Sequence, residues 1–236
     1  NHGGGTYRYV VGLRLGRTSS KEQYVFVYDA ARVDIDPQSV ITITDPQDLL
    51  HREPLIARFR TRTNPPENGF SFILVNIHTD PDETKQELDA LGDVFAYVQR
   101  NYWGEDDVIL LGDLNVPSSK LGKLGTVPGI AWTVDGAPTN TRGTKSYDNI
   151  VYHRPSTREF TGRAGVLSLQ ETYGLSTEQA LQVSDHQPVW AEFTLTEGGA
   201  GAMVATRPES PPVAATPPAT NYPNARQRLF QGRGER

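Results

Sequence analysis

The chain has 236 residues, with 28 aspartates and glutamates against 23 lysines and arginines and no cysteine. This length suffices for one substantial domain, and the lack of cysteine excludes a disulfide framework, a thiolate metal site and a cysteine nucleophile. With a net charge of -5, the protein would need a cation to offset repulsion if it bound a phosphodiester.

Apolar runs along the chain predict seven β-strands and two helices. The predicted strands cover residues 7–11, 24–28, 55–60, 70–77, 108–111, 149–152 and 189–195. Several of these runs are continuously apolar, which is typical of strands covered on both faces. No run is long enough to span a membrane.

The two predicted helices carry different signals. The first covers residues 82–100 and places Leu88, Leu91 and Phe95 on one apolar stripe. The second covers residues 177–183, where Ser176 and Gln179 have the spacing of a capping box. Both helices are therefore expected to lie on the outside of a larger sheet structure.

The order of these elements predicts the fold class and the domain limits. Because many strands follow one another with few helices between them, we expect an α+β fold in which two β-sheets pack as a sandwich flanked by helices. This domain should cover residues 1–198. Residues 199–236 are rich in proline, alanine and arginine, so we predict a disordered tail that either contacts an acidic partner or serves as a linker.

Asp113 and Asn115 follow the predicted strand 108–111. Residues two apart on a strand point the same way, so this carboxylate and this amide should face one spot. Carboxylate oxygens suit Mg²⁺, Mn²⁺ or Ca²⁺, and the asparagine could orient a phosphate oxygen or a ligand water. The alternative is a simple turn, which these residue types also favour.

Three further polar positions lie at strand ends. His78 ends the strand 70–77, Asp148 precedes the strand 149–152, and Asp185 with His186 precedes the strand 189–195. An aspartate can accept a hydrogen bond from a histidine N–H and fix its tautomer. Each position alone is compatible with a turn or a surface residue, but together they predict a hydrolytic site around a divalent metal.

These motifs resemble the endonuclease/exonuclease/phosphatase superfamily, and within it the deoxyribonuclease I-like branch. The resemblance runs from about Thr6 to Leu195. It is carried by Leu15-Gly16-Arg17, Lys21-Glu22-Gln23-Tyr24, Arg52-Glu53-Pro54, Asn76-Ile77-His78-Thr79, Gly112-Asp113-Leu114-Asn115, Tyr147-Asp148, and Ser184-Asp185-His186 with Pro188-Val189.

The resemblance implies an in-line attack on a phosphodiester by a metal-assisted water. It makes His186 the general base, oriented by Asp148, and His78 the general acid, paired with Glu22. These four residues form the expected catalytic set.

The same resemblance implies two further groups of residues. Asp113 and Asp185 would hold Mg²⁺ or Mn²⁺, with Asn115 on the metal or on the scissile phosphate, and Ca²⁺ is a further candidate ion. Arg52, Thr144 and Tyr147 would bind phosphate.

Family members begin with a strand–helix–strand unit before the segment that matches Thr6 onward, and this unit supplies a metal-binding glutamate. The resemblance therefore identifies the chain as an N-terminally truncated form of the fold. We expect such a form to expose apolar sheet edges and to be inactive by itself.

Several functions remain open at this stage. The first is a DNA endonuclease, and the second keeps the chemistry but acts on RNA, a phosphate monoester or a lipid phosphodiester. The third is a catalytically inactive relic that binds nucleic acid or protein. We expect nucleic acid, DNA first, as the partner of a monomer that does not bind membranes, and the sequence leaves the compartment open, including secretion and the periplasm.

Overall fold

A computed structural model describes residues 5–19 and 21–199 of the chain. In these ranges the strands are β1 Tyr7–Leu15, β2 Glu22–Asp29, β3 Val33–Ile35, β4 Ile41–Thr42, β5 Leu55–Thr61, β6 Ser71–His78, β7 Val108–Asp113, β8 Ile130–Trp132, β9 Asp148–His153, β10 Phe160–Val166 and β11 Val189–Phe193. The α-helices are α1 Thr84–Asn101, α2 Leu169–Tyr173 and α3 Thr177–Val183.

One seven-stranded sheet forms the centre of the fold. Its strand order is β3-β5-β6-β7-β9-β8, and β4 pairs with β5 beside this path. β6 and β7 are parallel and are joined through α1, whereas the other pairs are antiparallel. In this register His78 lies beside Asp113, and Asp113 lies beside Asp148. The sheet therefore brings three polar positions from distant parts of the chain to one edge.

Two separate hairpins, β1–β2 and β10–β11, form the second layer. Phe26 of β2 packs edge-on against Phe59 of β5, with ring centroids 5.4 Å apart. Phe193 of β11 stacks on Phe70, which precedes β6. Along β7, Ile109 joins the cluster under the β10–β11 hairpin while Leu110 joins the cluster with α1. Since neighbouring strand residues face opposite ways, α1 covers the other face of the sheet.

The face between the two hairpins is only partly covered. It contains an apolar groove of about 360 Å³ whose lining includes Leu74, Leu111, Ile150 and Trp190. The outer face of the β1–β2 hairpin also exposes several large apolar side chains, namely Tyr7, Tyr9, Val11, Leu13, Val25 and Val27.

The α+β class is confirmed, and the seven predicted strands and two predicted helices are all present. The helix predicted over 82–100 begins at Thr84 and ends at Asn101. The expected second sheet is present as two separate hairpins rather than as one continuous sheet. The tail prediction for residues beyond Gly199 lies outside the described residues.

The sequence reading missed β3, β4, β8, β10 and α2. Three of these strands have only two or three residues, too few for a periodic signal. β10 has the sequence FTGRAGV, in which glycines and an arginine weaken the strand pattern. Among the described residues no helix is both long and apolar enough to cross a membrane.

Candidate active site

A cleft of about 610 Å³ opens at the edge of the sheet where β6 and β7 end and β9 begins. Eight of the residues predicted from the sequence line it: Glu22, Arg52, His78, Asp113, Asn115, Asp148, Asp185 and His186. His78 and His186 thus lie in the same cleft although they are far apart in the chain. The catalytic, metal-binding and phosphate-binding roles of these residues remain predictions.

His78, the last residue of β6, is held from three sides. Its Nδ1 lies 2.7 Å from a carboxylate oxygen of Glu22. Its backbone N–H donates to the Tyr24 hydroxyl at 3.0 Å, and its carbonyl accepts from Arg52 Nε at 3.1 Å. The ring is therefore oriented with Nε2 toward the cleft, where it lies 3.4 Å from Asp113.

His186 is held in a corresponding way from the other side of the cleft. Its Nδ1 lies 2.7 Å from Asp148 Oδ2, and its ring stacks on Tyr147 with centroids 6.1 Å apart. Burial opposes protonation of His186, but the hydrogen bond and charge of Asp148, with Asp113 and Asp185 adding to them, raise its pKa. Its Nε2 lies 3.7 Å from Asp113.

Asp113 lies between the two imidazoles. Its Oδ1 accepts the backbone N–H of Asn115 at 2.8 Å, and its Oδ2 faces both histidines. Burial, and then the charge of Asp148, raise the pKa of Asp113 against the opposing hydrogen bond from Asn115. Asn115 adopts a positive φ of 53° and donates its side-chain amide to Thr79 O at 2.8 Å. This backbone turn directs both side chains of the Asp-x-Asn motif toward the cleft.

Arg52 is the most buried residue of the predicted set, with 2% of its surface exposed. Its Nη1 lies 3.2 Å from Glu22, so the guanidinium supports the carboxylate that holds His78. The structure places the positive charge at the floor of the cleft.

Two predicted phosphate-binding residues are not among the cleft-lining residues. Thr144 lies in an exposed turn, where its hydroxyl accepts from the Asn140 side chain at 3.0 Å. Tyr147 stacks on His186, and its carbonyl accepts the Leu114 backbone N–H at 2.8 Å. The family resemblance implied both residues, but the turn at Asn140 directs Thr144 elsewhere.

Two supporting residues were not found from the sequence. Tyr24 lines the cleft, and burial raises its pKa to about 12, which keeps its hydroxyl neutral as a partner of His78. Thr139 is fully buried, and its hydroxyl accepts the backbone N–H groups of Tyr147 and Asp148 at 2.9 and 3.0 Å. Tyr24 belongs to a motif that carries the resemblance, but neither its contact with His78 nor the contacts of Thr139 can be predicted from local pattern, because they depend on tertiary structure.

The cleft contains a donor set that fits a hard divalent cation. Asp113, Asp148 and His186 offer ligand atoms that all lie within 4.8 Å of one another. Carboxylate oxygens such as those of Asp113 and Asp148 suit Mg²⁺, Mn²⁺ or Ca²⁺, whereas an imidazole is a more usual ligand of zinc and other transition metals. Asp185, a predicted ligand, lies on the exposed rim of the cleft and is not part of this group.

Comparison with known proteins adds relatives over most of the chain. No protein-family model matches the chain. It is 36% identical over 204 residues to deoxyribonuclease-1 of Oryctolagus cuniculus, which covers 80% of this chain and 70% of that protein. The chain is also 36% identical over 203 residues to deoxyribonuclease-1-like 1 of Chlorocebus aethiops. This match covers 82% of the chain and 65% of that relative. Human deoxyribonuclease-1-like 1 is 34% identical to the chain over 205 residues, and this match covers 66% of the human protein.

Solved structures share the fold at much lower identity. The human Nocturnin catalytic domain with bound sulfate anion has a TM-score of 0.53 at 14% identity, covering 81% of this chain and 73% of that one. A humanized D. rerio TDP2 has a TM-score of 0.54 at 14% identity, covering 80% and 76%. These likenesses concern the fold alone.

Proposed function

The chain belongs to the deoxyribonuclease I-like family, and we propose that its cleft serves the hydrolysis of phosphodiester bonds in DNA with the help of a divalent cation. The relatives that share 33–36% of its residues are named deoxyribonucleases. The names of these relatives support nucleic acid, with DNA first, as the substrate.

One observation carries the proposal: two imidazoles face the same carboxylate, and each has its other nitrogen held by an acid. Nδ1 of His78 is held by Glu22 and Nδ1 of His186 by Asp148, both at 2.7 Å. An acid that accepts the Nδ1 proton leaves Nε2 of the neutral ring as a base and makes the protonated ring a directed acid. A pair of this kind can accept a proton on one side of a phosphate and donate one on the other.

The arrangement permits two proton transfers, and we assign the two histidines to them as the family resemblance implies. His186 takes a proton from the attacking water as the new bond from water oxygen to phosphorus forms. His78 gives its proton to the 3′-oxygen as the bond from that oxygen to phosphorus breaks, so the products are a 5′-phosphate and a 3′-hydroxyl. Each histidine contributes roughly 10²–10⁴-fold in rate.

The metal ligands that we propose are Asp113 and Asp185, with Asn115 on the metal or on the scissile phosphate. A bound Mg²⁺ or Mn²⁺ would stabilise negative charge on the phosphate oxygens. Asp148 and His186 lie close to Asp113, but we assign them to proton transfer. The Arg52 guanidinium pairs with Glu22 and adds positive charge at the floor of the cleft.

The test is nicking of supercoiled plasmid in Mg²⁺ and in EDTA by the product of the complete gene, because the chain spans about two thirds of its relatives. We expect Mg²⁺-dependent nicking that falls roughly 10²–10⁴-fold in His186→Ala. His153→Ala is the matched control, because His153 lies at the other end of β9 with its ring on Ser156. A folded His186→Ala protein with full activity would overturn the proposal, as would release of phosphate from monoesters without any plasmid nicking.

A further inference from the structure

One buried carboxylate links two segments of the candidate active site. Glu87 lies in the first turn of α1 and is fully buried. It is not among the residues that line the cleft, so it has no direct contact with a substrate bound there. Burial of an ionisable group is costly unless hydrogen bonds compensate for it. The partners of Glu87 therefore indicate what this carboxylate does.

The two oxygens of Glu87 accept hydrogen bonds from two separate stretches of backbone. Oε1 accepts the backbone N–H of His51 at 2.7 Å, and Oε2 accepts that of Asp80. Burial raises the pKa of Glu87, whereas the two N–H donors and the charge of Arg52 lower it. Because each oxygen accepts one N–H, the arrangement uses both acceptors of an ionised carboxylate.

Each of these stretches continues into a residue of the candidate active site. His51 directly precedes Arg52, and Asp80 lies two residues after His78. Arg52 Nε donates to the His78 carbonyl at 3.1 Å, and Arg52 Nη1 lies 3.2 Å from Glu22. The two stretches that Glu87 joins thus carry the guanidinium and one of the two imidazoles of the cleft.

The stretch around Asp80 also contacts the proposed metal ligands. The Thr79 backbone N–H donates to the Asp113 carbonyl at 3.0 Å, and the Thr79 carbonyl accepts the side-chain amide of Asn115 at 2.8 Å. A displacement of the backbone at Asp80 would therefore move His78 and Asn115 together.

We propose that Glu87 is a positioning residue for phosphodiester hydrolysis in this cleft, an inference that rests on the proposed function. Its carboxylate fixes the backbone beside Arg52 to the backbone beside His78, so that the guanidinium and the imidazole keep their relative positions. A displacement of about 1 Å at a catalytic group can cost about a hundredfold in rate. Glu87 thus acts on kcat through geometry, without touching the substrate.

Two substitutions separate the geometry of Glu87 from its charge. Glu87→Gln keeps the length of the side chain but has one acceptor oxygen, so its amide NH₂ faces one of the two N–H donors. Glu87→Asp keeps both oxygens and the negative charge near Arg52, but its side chain is one methylene shorter and does not reach both donors. A loss of activity in both variants is due to geometry.

The test is steady-state nicking of supercoiled plasmid in Mg²⁺ by the product of the complete gene, at a temperature where circular dichroism shows each variant to be folded. We expect kcat to fall roughly 10–100-fold in Glu87→Gln and to fall in Glu87→Asp as well. KM should change little, because the residues that line the cleft are unaltered.

Glu105→Gln is the matched control. Glu105 is also a buried carboxylate that accepts a backbone N–H, that of Asp107 at 3.2 Å, but it precedes β7 at the end opposite the cleft. Glu105→Gln should therefore leave kcat unchanged even if it lowers the urea midpoint of unfolding. This contrast separates positioning from a general loss of stability.

A second measurement does not depend on activity. Long-range ¹H–¹⁵N NMR spectra of the histidine rings report the surroundings of each imidazole, and His78→Ala assigns the signals of His78. We expect Glu87→Gln to shift these signals and to leave those of His153, at the other end of the sheet, in place.

Three outcomes overturn the inference: full kcat in both folded Glu87 variants, an equal loss of kcat in Glu105→Gln, or unmoved His78 signals in Glu87→Gln. If the unsubstituted protein does not nick plasmid, the proposed function fails. The His78 signals then decide by themselves whether Glu87 positions this ring.

Discussion

At the cleft end of β6 and β7 the acidic side chains have imidazole or guanidinium partners, whereas at the far end most of them have no described cation nearby. Glu22 contacts both His78 and Arg52, and Asp148 contacts His186. Of the four acids at the far end, Glu105, Asp107, Glu159 and Glu197, only Glu105 has a cationic side chain within 4.0 Å among the described residues, namely Arg58. The same strands therefore present two acidic sites with opposite degrees of charge compensation.

This contrast shows that the neighbours and the solvent exposure of a carboxylate, rather than its residue type, determine whether it is charged and what it can bind. The cleft is open, so its carboxylates can hold histidines in one tautomer and still accept a metal ion or a substrate. At the far end Glu105, Asp107 and Glu159 are buried, and burial raises the pKa of each carboxyl, so uptake of a proton relieves the cost of a buried charge. The two ends therefore use acidic residues in opposite ways: open and paired with cations at the cleft, buried and with raised pKa values at the far end.

The sharpest test of the cleft end is Asp148→Asn, which replaces the acceptor on His186 Nδ1 by an amide. The amide can donate to Nδ1 and favour the tautomer with a proton on Nε2, which is the wrong nitrogen for a base. We expect plasmid nicking by the product of the complete gene to fall roughly 10²–10⁴-fold. Asp106→Asn, at the far end of the sheet and exposed, is the control and should nick normally. Equal activity in the two variants would show that the pairing of His186 with Asp148 has no catalytic role.

A second test concerns the stabilising effect of charge pairing at the cleft. Arg52→Ala leaves Glu22 without its cation and leaves a hole at the floor of the cleft, so we expect the free energy of unfolding to fall by about 3 kcal/mol. Arg62→Ala removes an ion pair with Asp34 in which both side chains are at least half exposed, and it should cost less than about 1 kcal/mol. Urea unfolding of both variants measures the two losses in free energy of unfolding. Equal losses would contradict the prediction.

A third test concerns the pH dependence that the buried acids at the far end should cause. Burial is the main reason that the pKa of Asp107 rises to about 8 from its ordinary value of 3.8, and burial also raises the pKa values of Glu105 and Glu159. The folded state then binds more protons than the unfolded state, so stability falls as the pH rises through this window. Arg58, Glu159 and Glu197 also face this region and modify the slope.

The measurement is urea unfolding in EDTA between pH 6 and pH 8, where we expect a loss of about 2 kcal/mol. Asp107→Asn should flatten this dependence. If the free energy of unfolding of Asp107→Asn falls with pH as steeply as that of the unsubstituted chain, burial of the Asp107 carboxylate is not the cause of the pH dependence.

Local sequence pattern predicted a large part of the fold and of the candidate site. The apolar runs gave the long strands, and the polar residues at their ends gave six of the residues that line the cleft, while the family resemblance added Glu22 and Arg52. Such features are encoded by neighbouring residues, because strand alternation and strand termini are short-range properties. The short strands β3, β4 and β8 carry too few residues for the same argument.

Local residue patterns set which segments form strands and which polar residues lie at the strand ends. Only the tertiary structure decided that Arg52 is buried, that Thr144 lies away from the cleft, and that Asp107 and Glu159 meet at the far end of the sheet. The reason is physical: burial and charge compensation depend on strand register and on the whole surrounding fold, and these bring together residues that no local pattern connects.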